Sequence, residues 1–265
     1  MRLVTFNILH GRSVVDDLVD VDRLADAVAS LDPDVLALQE VDLNQPRSHL
    51  ADLTAVAAEA MGAVAYRFVP ALCGTPGATW TAARDDEVPG TASYGVALLS
   101  RYPVRSWQTL RLRRIGFRFP MFNPDLRKVI MVDEEPRVAV IAHLDTPAGT
   151  MTVANTHLSF LPGWGRLQLR QIRRTLATRS DPLIVMGDLN IDAPKPARIT
   201  GFRSLAGLST FPLDEPSRQL DHILARGDVG TVVGSHAARF PLSDHLALVV
   251  DLAGPAPSPG SSRGR

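Results

Sequence analysis

The sequence has little of several features that define protein classes. It contains one cysteine, Cys73, which excludes an intramolecular disulfide framework and a cysteine-rich zinc site. It has no run of eighteen apolar residues, so no membrane-spanning helix is expected. It also has no excess of charge, because 28 Lys and Arg residues balance 28 Asp and Glu residues. Recognition of an anion must therefore be local.

The first ten residues lack the apolar segment of a signal peptide, and we expect a cytoplasmic protein. Of the 265 residues, 45% are hydrophobic and 21% are charged, which is typical of a globular protein with a sizeable core. We predict a single domain over residues 1–252. The tail 253–265 consists of Pro, Gly, Ser, Arg and Ala and is predicted to be disordered.

The first third of the chain alternates strand and helix patterns. The apolar spacing predicts strands at 3–9, 35–39 and 66–70, and helices at 21–31 and 50–61. Asp32-Pro33 should end the first helix, and Gly62 should end the second. Residues 71–93 are rich in Gly, Pro and Thr and are predicted to form a long exposed loop.

The remaining chain is rich in strand patterns, interrupted by one predicted helix. That helix spans 165–178 and carries four arginines and no acidic residue. Apolar runs that predict strands occur at 95–99, 129–132, 137–144, 151–155, 183–186, 221–224 and 246–252. This order favours a layered α/β sandwich over an alternating parallel sheet.

Polar side chains follow many of the apolar runs. They are Asn7, Glu40, Asn155, His157, Asp188, Asn190, Asp221, Asp244 and His245. Singly, Asn and Asp are more often turn formers, but loops at strand ends commonly display catalytic groups. The carboxylates and amides are hard oxygen ligands, which suit magnesium or manganese. The two histidines could transfer protons or stabilise charge, and Asp221 could orient one of them.

Seven short motifs occur in order along nearly the whole chain. They are Thr-Phe-Asn-Ile at 5–8, Leu-Gln-Glu-Val at 38–41, Tyr-Gly-Val-Ala-Leu-Leu-Ser-Arg-Tyr-Pro at 94–103, Asn-Thr-His-Leu at 155–158, Gly-Asp-Leu-Asn at 187–190, Leu-Asp-His-Ile-Leu at 220–224 and Leu-Ser-Asp-His-Leu at 242–246. In this order they resemble the motifs of the endonuclease/exonuclease/phosphatase superfamily. The resemblance implies a four-layered α/β sandwich, with two packed, mainly antiparallel sheets flanked by helices. It also implies metal-dependent hydrolysis of a phosphate ester.

The resemblance also implies roles for individual residues. Asn7 and Glu40 would bind the metal ion, magnesium or manganese, with Asp244 alongside or at a second metal position. Asp188 and Asn190 would align the attacking water and hold the phosphate. His245, oriented by Asp221, would be either the general base or a phosphate-stabilising imidazolium. His157 resembles a second histidine that contacts the phosphate. Arg137 resembles a phosphate-contacting arginine of the deoxyribonuclease branch.

Other residues carry weaker signals. His10 lies three residues after Asn7, and a place at the mouth of the site and an exposed turn are equally supported. Tyr94 could line the site or belong to the core. His222 should face away from Asp221 along a strand and so serve packing. Three further histidines, His49, His143 and His236, and the lone Cys73 have no supporting pattern.

Residues 105–128 carry seven basic residues against one acid, Asp125, with Phe117, Phe119, Met121 and Phe122 interleaved. This segment could be a loop that binds a polyanion or contacts a lipid surface, or a solvated connection.

Three functions are compatible with the sequence: a phosphodiesterase or phosphatase for small or lipid-like esters, a DNA or RNA nuclease, and a non-catalytic binding domain. The first is preferred. A phosphate ester is the expected substrate, nucleic acid or a lipid surface remains open as a partner, and no obligate protein partner is expected.

Overall fold

The computed structural model describes residues 1–116, 118–123, 127–161 and 163–253. Two mixed, mainly antiparallel β-sheets pack face to face. The first has seven strands in the spatial order β14 (Thr231–Ala238), β15 (Ala247–Ala253), β1 (Arg2–Asn7), β2 (Val35–Leu43), β5 (Ser93–Ser100), β3 (Ala65–Gly74) and β4 (Trp80–Ala82). The second has six strands in the order β12 (Arg203–Ser204), β13 (Asp221–Arg226), β11 (Leu183–Asp188), β10 (Gly149–His157), β9 (Val138–Thr146) and β6 (Val104–Arg111). The predicted α/β sandwich is thereby confirmed.

Helices cover the outer faces of both sheets. They are α1 (Val21–Leu31), α2 (Leu53–Met61), α3 (Trp164–Thr175) and α4 (Lys195–Thr200). One buried apolar cluster lies between the sheets, with Val140 and Leu248 as examples. A second cluster joins α1 and α2 to the first sheet, and a third joins α3 to the second sheet. The layers are therefore helix, sheet, sheet and helix.

Local signals explain the helix ends. The Asp20 side chain accepts hydrogen bonds from the backbone N–H groups of Asp22 and Arg23, which caps α1. Asp32 ends α1 in a left-handed conformation. Gly62 ends α2 with a φ of 64°, a value that glycine adopts without strain. No helix within the described residues is long and apolar enough to cross a membrane.

Several boundaries differ from the sequence predictions. Helix α2 begins at Leu53 rather than at residue 50, because Asp52 caps it. Helix α3 ends at Thr175, and Leu176–Thr178 continues it as a 3-10 turn.

The prediction of a long exposed loop over 71–93 was wrong in part. Strand β3 continues to Gly74 and forms an antiparallel hairpin with β4. Backbone pairing with β5 and β4 supplies the order that the Gly-rich and Pro-rich composition did not indicate.

The prediction of a loop over 105–128 was also wrong in part. Residues Val104–Arg111 form β6, which pairs with β9 at the edge of the second sheet. Strands β7 (Phe119–Asn123) and β8 (Lys128–Val132) form a separate hairpin. Phe117, Asp125, residues 254–265 of the tail and the side chains of Phe119, Met121 and Phe122 lie outside the described part of the chain.

Candidate active site

Parallel strand pairs bring the predicted polar residues to one edge of the sandwich. Strand β1 pairs with β2 in parallel, and β10 pairs with β11 in parallel. The carboxyl ends of parallel neighbours meet at the same edge, so Asn7, His157 and Asp188 end their strands there. The register pairs His157 with Asp188, and Asp188 with Asp221 at the start of the antiparallel strand β13.

Gly187 permits the close approach that places Asp188 in this row. Its φ is 139°, and a Cβ atom there would lie 1.9 Å from the carbonyl oxygen of Thr156 on β10. Any larger residue would force β10 and β11 apart. The glycine of the Gly-Asp-Leu-Asn motif is thus required by the geometry of the strand pair.

Glu40 reaches the site from a β-bulge rather than from a strand end. The register between β2 and β5 shifts between Gln39 and Val41, and Glu40 has a φ of 57°. A bulge re-aims a side chain out of the normal alternation. The Nδ2 atom of Asn7 donates to Glu40 Oε1 and to Asp188 Oδ2, each at 3.1 Å. Asn7 therefore links the carboxylates of the two sheets.

Asp188 lies at the centre of the site and is buried. Its Oδ1 atom accepts a hydrogen bond from the backbone N–H of Asn190 at 2.9 Å. The Nε2 atoms of His157 and His245 lie 3.5 and 3.8 Å from Asp188 Oδ2. Burial, with the negative charge of Asp221, raises the pKa of Asp188 above its ordinary value. Asp188 can therefore exchange a proton closer to neutral pH than an exposed aspartate can.

His245 and Asp221 form a buried pair behind Asp188. His245 Nδ1 lies 2.8 Å from Asp221 Oδ2, and the His245 ring packs on Phe211 with centroids 4.8 Å apart. Burial alone would lower the pKa of His245, but the charge and hydrogen bond of Asp221, with the charge of Asp188, raise it to about 10. His245 is thus a cation at neutral pH.

His157 has the opposite electrostatic environment. Burial, together with the positive charges of Arg137 and His245, holds the pKa of His157 well below its usual range. The Nδ2 atom of Asn190 donates to Leu158 O at 2.9 Å and lies 3.1 Å from His157 Nε2. His157 is neutral with Nε2 as the acceptor, so the two histidines differ in charge.

The site opens into a cavity of about 330 Å³. Eight of the eleven predicted site residues line it: Asn7, Glu40, Tyr94, Arg137, His157, Asp188, Asn190 and His245. Asp221 lies behind His245 and does not line the cavity. Asp244 is half-buried next to His245. The pKa of Glu40 is raised mainly by burial, and the negative charge of Asp244 also raises it.

His10 is, with Asp221 and Asp244, one of the three predicted residues that do not line the cavity. It is 8% exposed, so it is not an exposed turn residue. Burial, with the charges of Arg47 and Arg12, lowers the pKa of His10 to about 3.

Tyr94 and Arg137 form part of one wall. The guanidinium of Arg47 lies 5.4 Å from the centroid of the Tyr94 ring and pairs with the buried Asp42. Arg137 is 7% exposed. Its nearest carboxylate oxygens, from Glu134 and Glu135, are both 3.9 Å away. Among the described residues it therefore has no tight ion pair, which leaves the guanidinium available to an anion.

Sequence reasoning missed five residues of the cavity lining: Glu135, Phe160, Phe211, Arg218 and Leu220. Glu135 and Arg218 stand in no motif, and only proximity in the fold identifies them. Arg218 is held at the rim by Asp192, with N–O distances of 2.9 and 3.1 Å.

Two polar residues in the strand motifs, Asn155 and His222, do not line the catalytic cavity. Asn155 is fully buried and bonds to Gln39 and to the backbone of the opposite sheet. His222 Nε2 lies 2.8 Å from the carbonyl oxygen of Ile191. His222 borders a different cavity, as expected for a residue that alternates with Asp221 along a strand.

The donor set fits a hard divalent cation. Glu40 is a half-buried carboxylate that, within the described ranges, has no Lys, Arg or His nitrogen within 4.0 Å. Burying an uncompensated carboxylate is costly, and a bound cation removes that cost. No three His, Cys, Asp or Glu side chains of the described residues could by themselves hold a metal ion. Magnesium suits such a site, since it uses one or two protein carboxylates with water and substrate oxygens.

Comparison with known proteins gives a family match over nearly the whole chain. The model of the endonuclease/exonuclease/phosphatase family matches residues 4–245. None of the curated proteins matches the chain in sequence.

Several solved structures share the fold. An endonuclease/exonuclease/phosphatase from Beutenbergia cavernae is 24% identical with a TM-score of 0.69, covering 95% of this chain and 71% of that one. The human nocturnin catalytic domain with bound sulfate is 20% identical with a TM-score of 0.64, covering 96% and 94%. Sphingomyelinase C from Streptomyces griseocarneus is 16% identical with a TM-score of 0.61, covering 94% and 98%.

Proposed function

The chain belongs to the endonuclease/exonuclease/phosphatase family, and we propose that it hydrolyses phosphate esters with a divalent metal ion, magnesium or manganese. Members of this family are typically metal-dependent phosphoesterases. The observation that carries the proposal is the row of His157, Asp188 and the His245–Asp221 pair along one edge of the sandwich. Hydrolysis of a phosphate ester requires an aligned water and stabilisation of the charge on the phosphate oxygens.

Glu40 would hold the metal ion, with the side chain of Asn7 and the carboxylate of Asp244 nearby. The Oδ1 atom of Asn7 accepts a hydrogen bond from the backbone N–H of Leu9 at 3.1 Å. Such an ion supplies Lewis-acid stabilisation of a phosphoryl oxygen and of the leaving oxygen. The hydrogen bonds of Asn7 to Glu40 and Asp188 keep the two carboxylates in fixed relation.

Asp188 would orient the attacking water and accept its proton. Its raised pKa makes it a stronger base than an exposed aspartate. Asn190 fixes the Asp188 side chain through its backbone N–H. A proton that leaves the water would thus move to an oxygen of Asp188.

The positive groups of the cavity would bind the phosphate. His245 is protonated at neutral pH, which favours the role of a phosphate-stabilising imidazolium over that of a general base. Arg137, which also lines the cavity, would contribute a second positive charge. Neutral His157 would add no charge. Because its Nε2 atom is the acceptor for Asn190, only its Nδ1–H group could donate to a phosphate oxygen.

The test is hydrolysis of a substrate panel by the wild-type protein and by His245→Ala as the inactive control. The panel contains bis- and mono-nitrophenyl phosphate, inositol phosphates, sphingomyelin, single-stranded RNA and plasmid DNA. Each assay is run with Mg²⁺, with Mn²⁺ and with chelator. We expect metal-dependent turnover of at least one ester that His245→Ala lacks. If no ester is hydrolysed with either metal, the proposal is wrong.

By net charge alone, which is zero for the chain, small or lipid-like esters are favoured as substrates. A nuclease is the second candidate, and the basic surface of helix α3 is the observation that favours it.

A further inference from the structure

Six basic side chains on one outer layer of the sandwich form a surface that the proposed chemistry does not use. They are Arg166, Arg170, Arg173 and Arg174 of α3 and Lys195 and Arg198 of α4, here called the basic face. All six are exposed. The two helices pack against each other, and Arg173 Nη1 donates to the carbonyl oxygen of Ile199 at 3.4 Å. The basic face is therefore one continuous surface.

The charge of the basic face is not compensated. Residues 146–180 and 193–213 contain no Asp or Glu. In the part of the chain that the structure describes, no residue of the basic face lies within 4.0 Å of a carboxylate oxygen. Other arginines are paired: Arg23 with Asp16 and Arg105 with Asp145, each at 2.6 Å.

The charge pattern of α3 does not serve the helix itself. Arg166, Arg170 and Arg174 stand four residues apart, and like charges at this spacing destabilise a helix. The first turn contains no acid, although acids are favoured there. Burial of Leu169 and Ile172 against the second sheet holds the helix instead. Because this row of arginines weakens α3, its presence favours a role in binding a negatively charged partner.

The neutral net charge conceals a separation of charge across the molecule. Residues 16–34 contain seven Asp and one basic residue, Arg23. This segment includes α1, which packs on the first sheet, whereas α3 packs on the second. The acidic and basic faces are thus opposite outer layers. A polyanion would be attracted to one side of the protein only.

The basic face begins at the candidate active site. Helix α3 connects the parallel strands β10 and β11, so it starts at the catalytic edge and runs toward the other edge. Gly165 in its first turn lies so close to Ser159 that a Cβ atom would be 2.6 Å from the Ser159 carbonyl oxygen. Phe160 lines the catalytic cavity. The twelve residues of α3 extend for about 18 Å from that point.

We propose that the basic face binds the sugar–phosphate backbone of a nucleic acid strand whose target phosphate enters the catalytic cavity. The proposal rests on the phosphoesterase function above and would identify its substrate class. Unpaired arginines are the usual contacts to phosphates. The basic face lies on the side of the sandwich, whereas the cavity opens at the edge of the sandwich, so a flat membrane could not contact the basic face and the cavity together. A flexible polyanion strand can run along the basic face and still reach the cavity.

Binding is measured by fluorescence anisotropy of a fluorescein-labelled 20-nucleotide oligo(dT) in chelator, across a series of salt concentrations. Each neutralised phosphate of a single strand contributes about 0.7 to the slope of log affinity against log salt. Replacing Arg166, Arg170 and Arg174 by Gln should lower that slope by about 2. We also expect at least a tenfold loss of affinity at low salt. Turnover of bis-nitrophenyl phosphate should stay at the wild-type level.

The matched control replaces three acid-paired arginines, Arg23, Arg105 and Arg239, by Gln. This variant loses the same formal charge at positions outside the basic face. Its affinity for oligo(dT) and the slope of log affinity against log salt should equal those of the wild type. Equal losses in both triple variants would overturn the proposal, because net charge alone would then explain binding. Absence of oligo(dT) binding by the wild-type protein would also overturn it. So would binding to phosphatidylserine vesicles without binding to oligo(dT).

The same assays separate this proposal from the proposed function. If bis-nitrophenyl phosphate is hydrolysed and oligo(dT) does not bind, the basic-face proposal fails and the phosphoesterase proposal stands. If oligo(dT) binds through the basic face and no ester is hydrolysed, the phosphoesterase proposal fails.

Discussion

Replacing Asn155 by Ala should destabilise the protein without removing a catalytic group. Asn155 lies on β10 of the second sheet, and its amide crosses the core to the first sheet. Its Oδ1 atom accepts from Gln39 Nε2 at 2.8 Å, and its Nδ2 atom donates to the carbonyl oxygens of Leu38 and Ala97 at 2.9 and 2.7 Å. The residue is fully buried. Asn155 thus connects the sheets although its motif resembles a catalytic one.

The expected loss follows from these three hydrogen bonds. A buried hydrogen bond contributes about 1 kcal/mol net, and a buried group left without a partner costs more. Gln39 Nε2 retains contacts to Thr5 Oγ1 at 3.1 Å and to Ala37 O at 3.2 Å, which limits the loss at that end. We expect Asn155→Ala to lower the free energy of unfolding by about 3 kcal/mol.

The assay is urea unfolding followed by tryptophan fluorescence and circular dichroism. Thr91→Ala is the control, because the Oγ1 atom of Thr91 donates one exposed hydrogen bond, to the Val88 carbonyl oxygen at 2.7 Å, and this variant should lose less than about 1 kcal/mol. Folded Asn155→Ala should keep wild-type turnover. A loss of turnover in a variant that is as stable as the wild type would refute this reasoning.

Three further predictions concern charge. Asp188→Asn should reduce turnover by about 10² to 10⁴-fold with unchanged circular dichroism, and near wild-type turnover would remove Asp188 from the proposed role. Glu40→Gln should raise the Mg²⁺ concentration for half-maximal turnover by about tenfold or more; an unchanged requirement would exclude Glu40 as a ligand. The pKa of His10 is lowered to about 3, so below pH 6.5 the unfolded chain binds a proton that the folded chain does not. Stability is then lost as the pH falls from 6.5 toward 3, and His10→Gln should lose about 2 kcal/mol less than the wild type between pH 7 and pH 5 in urea unfolding; equal losses would contradict this.

Local sequence signals predict the elements whose ends are determined by nearby residues. Helix α1 lies at the predicted residues 21–31 because Asp20 caps its start and Asp32-Pro33 ends it. Strand β3 was predicted too short because its last residues are ordered by pairing with β4, which is not visible in local composition. The hairpin is stabilised by contacts between residues separated along the chain.

The residues of the candidate site also fall into those that local motifs predict and those that only the fold identifies. The motifs name His157 and Asp188, and the parallel pairing of β10 with β11 brings them to one edge. The bulge at Glu40 depends on the register with β5, which no local pattern encodes. Arg218 and Glu135 reach the cavity from segments without a motif, so only the fold identifies them.

The central claim is that water attacks the phosphorus of an ester in the cavity formed by Asp188, His157 and His245. Its most direct test is hydrolysis of bis-nitrophenyl phosphate with Mg²⁺ in water enriched in ¹⁸O, with mass spectrometry of both products. We predict one ¹⁸O atom in the nitrophenyl phosphate product and none in the nitrophenol, with no turnover in chelator. Label in the nitrophenol, or equal turnover by Asp188→Asn, would contradict the account.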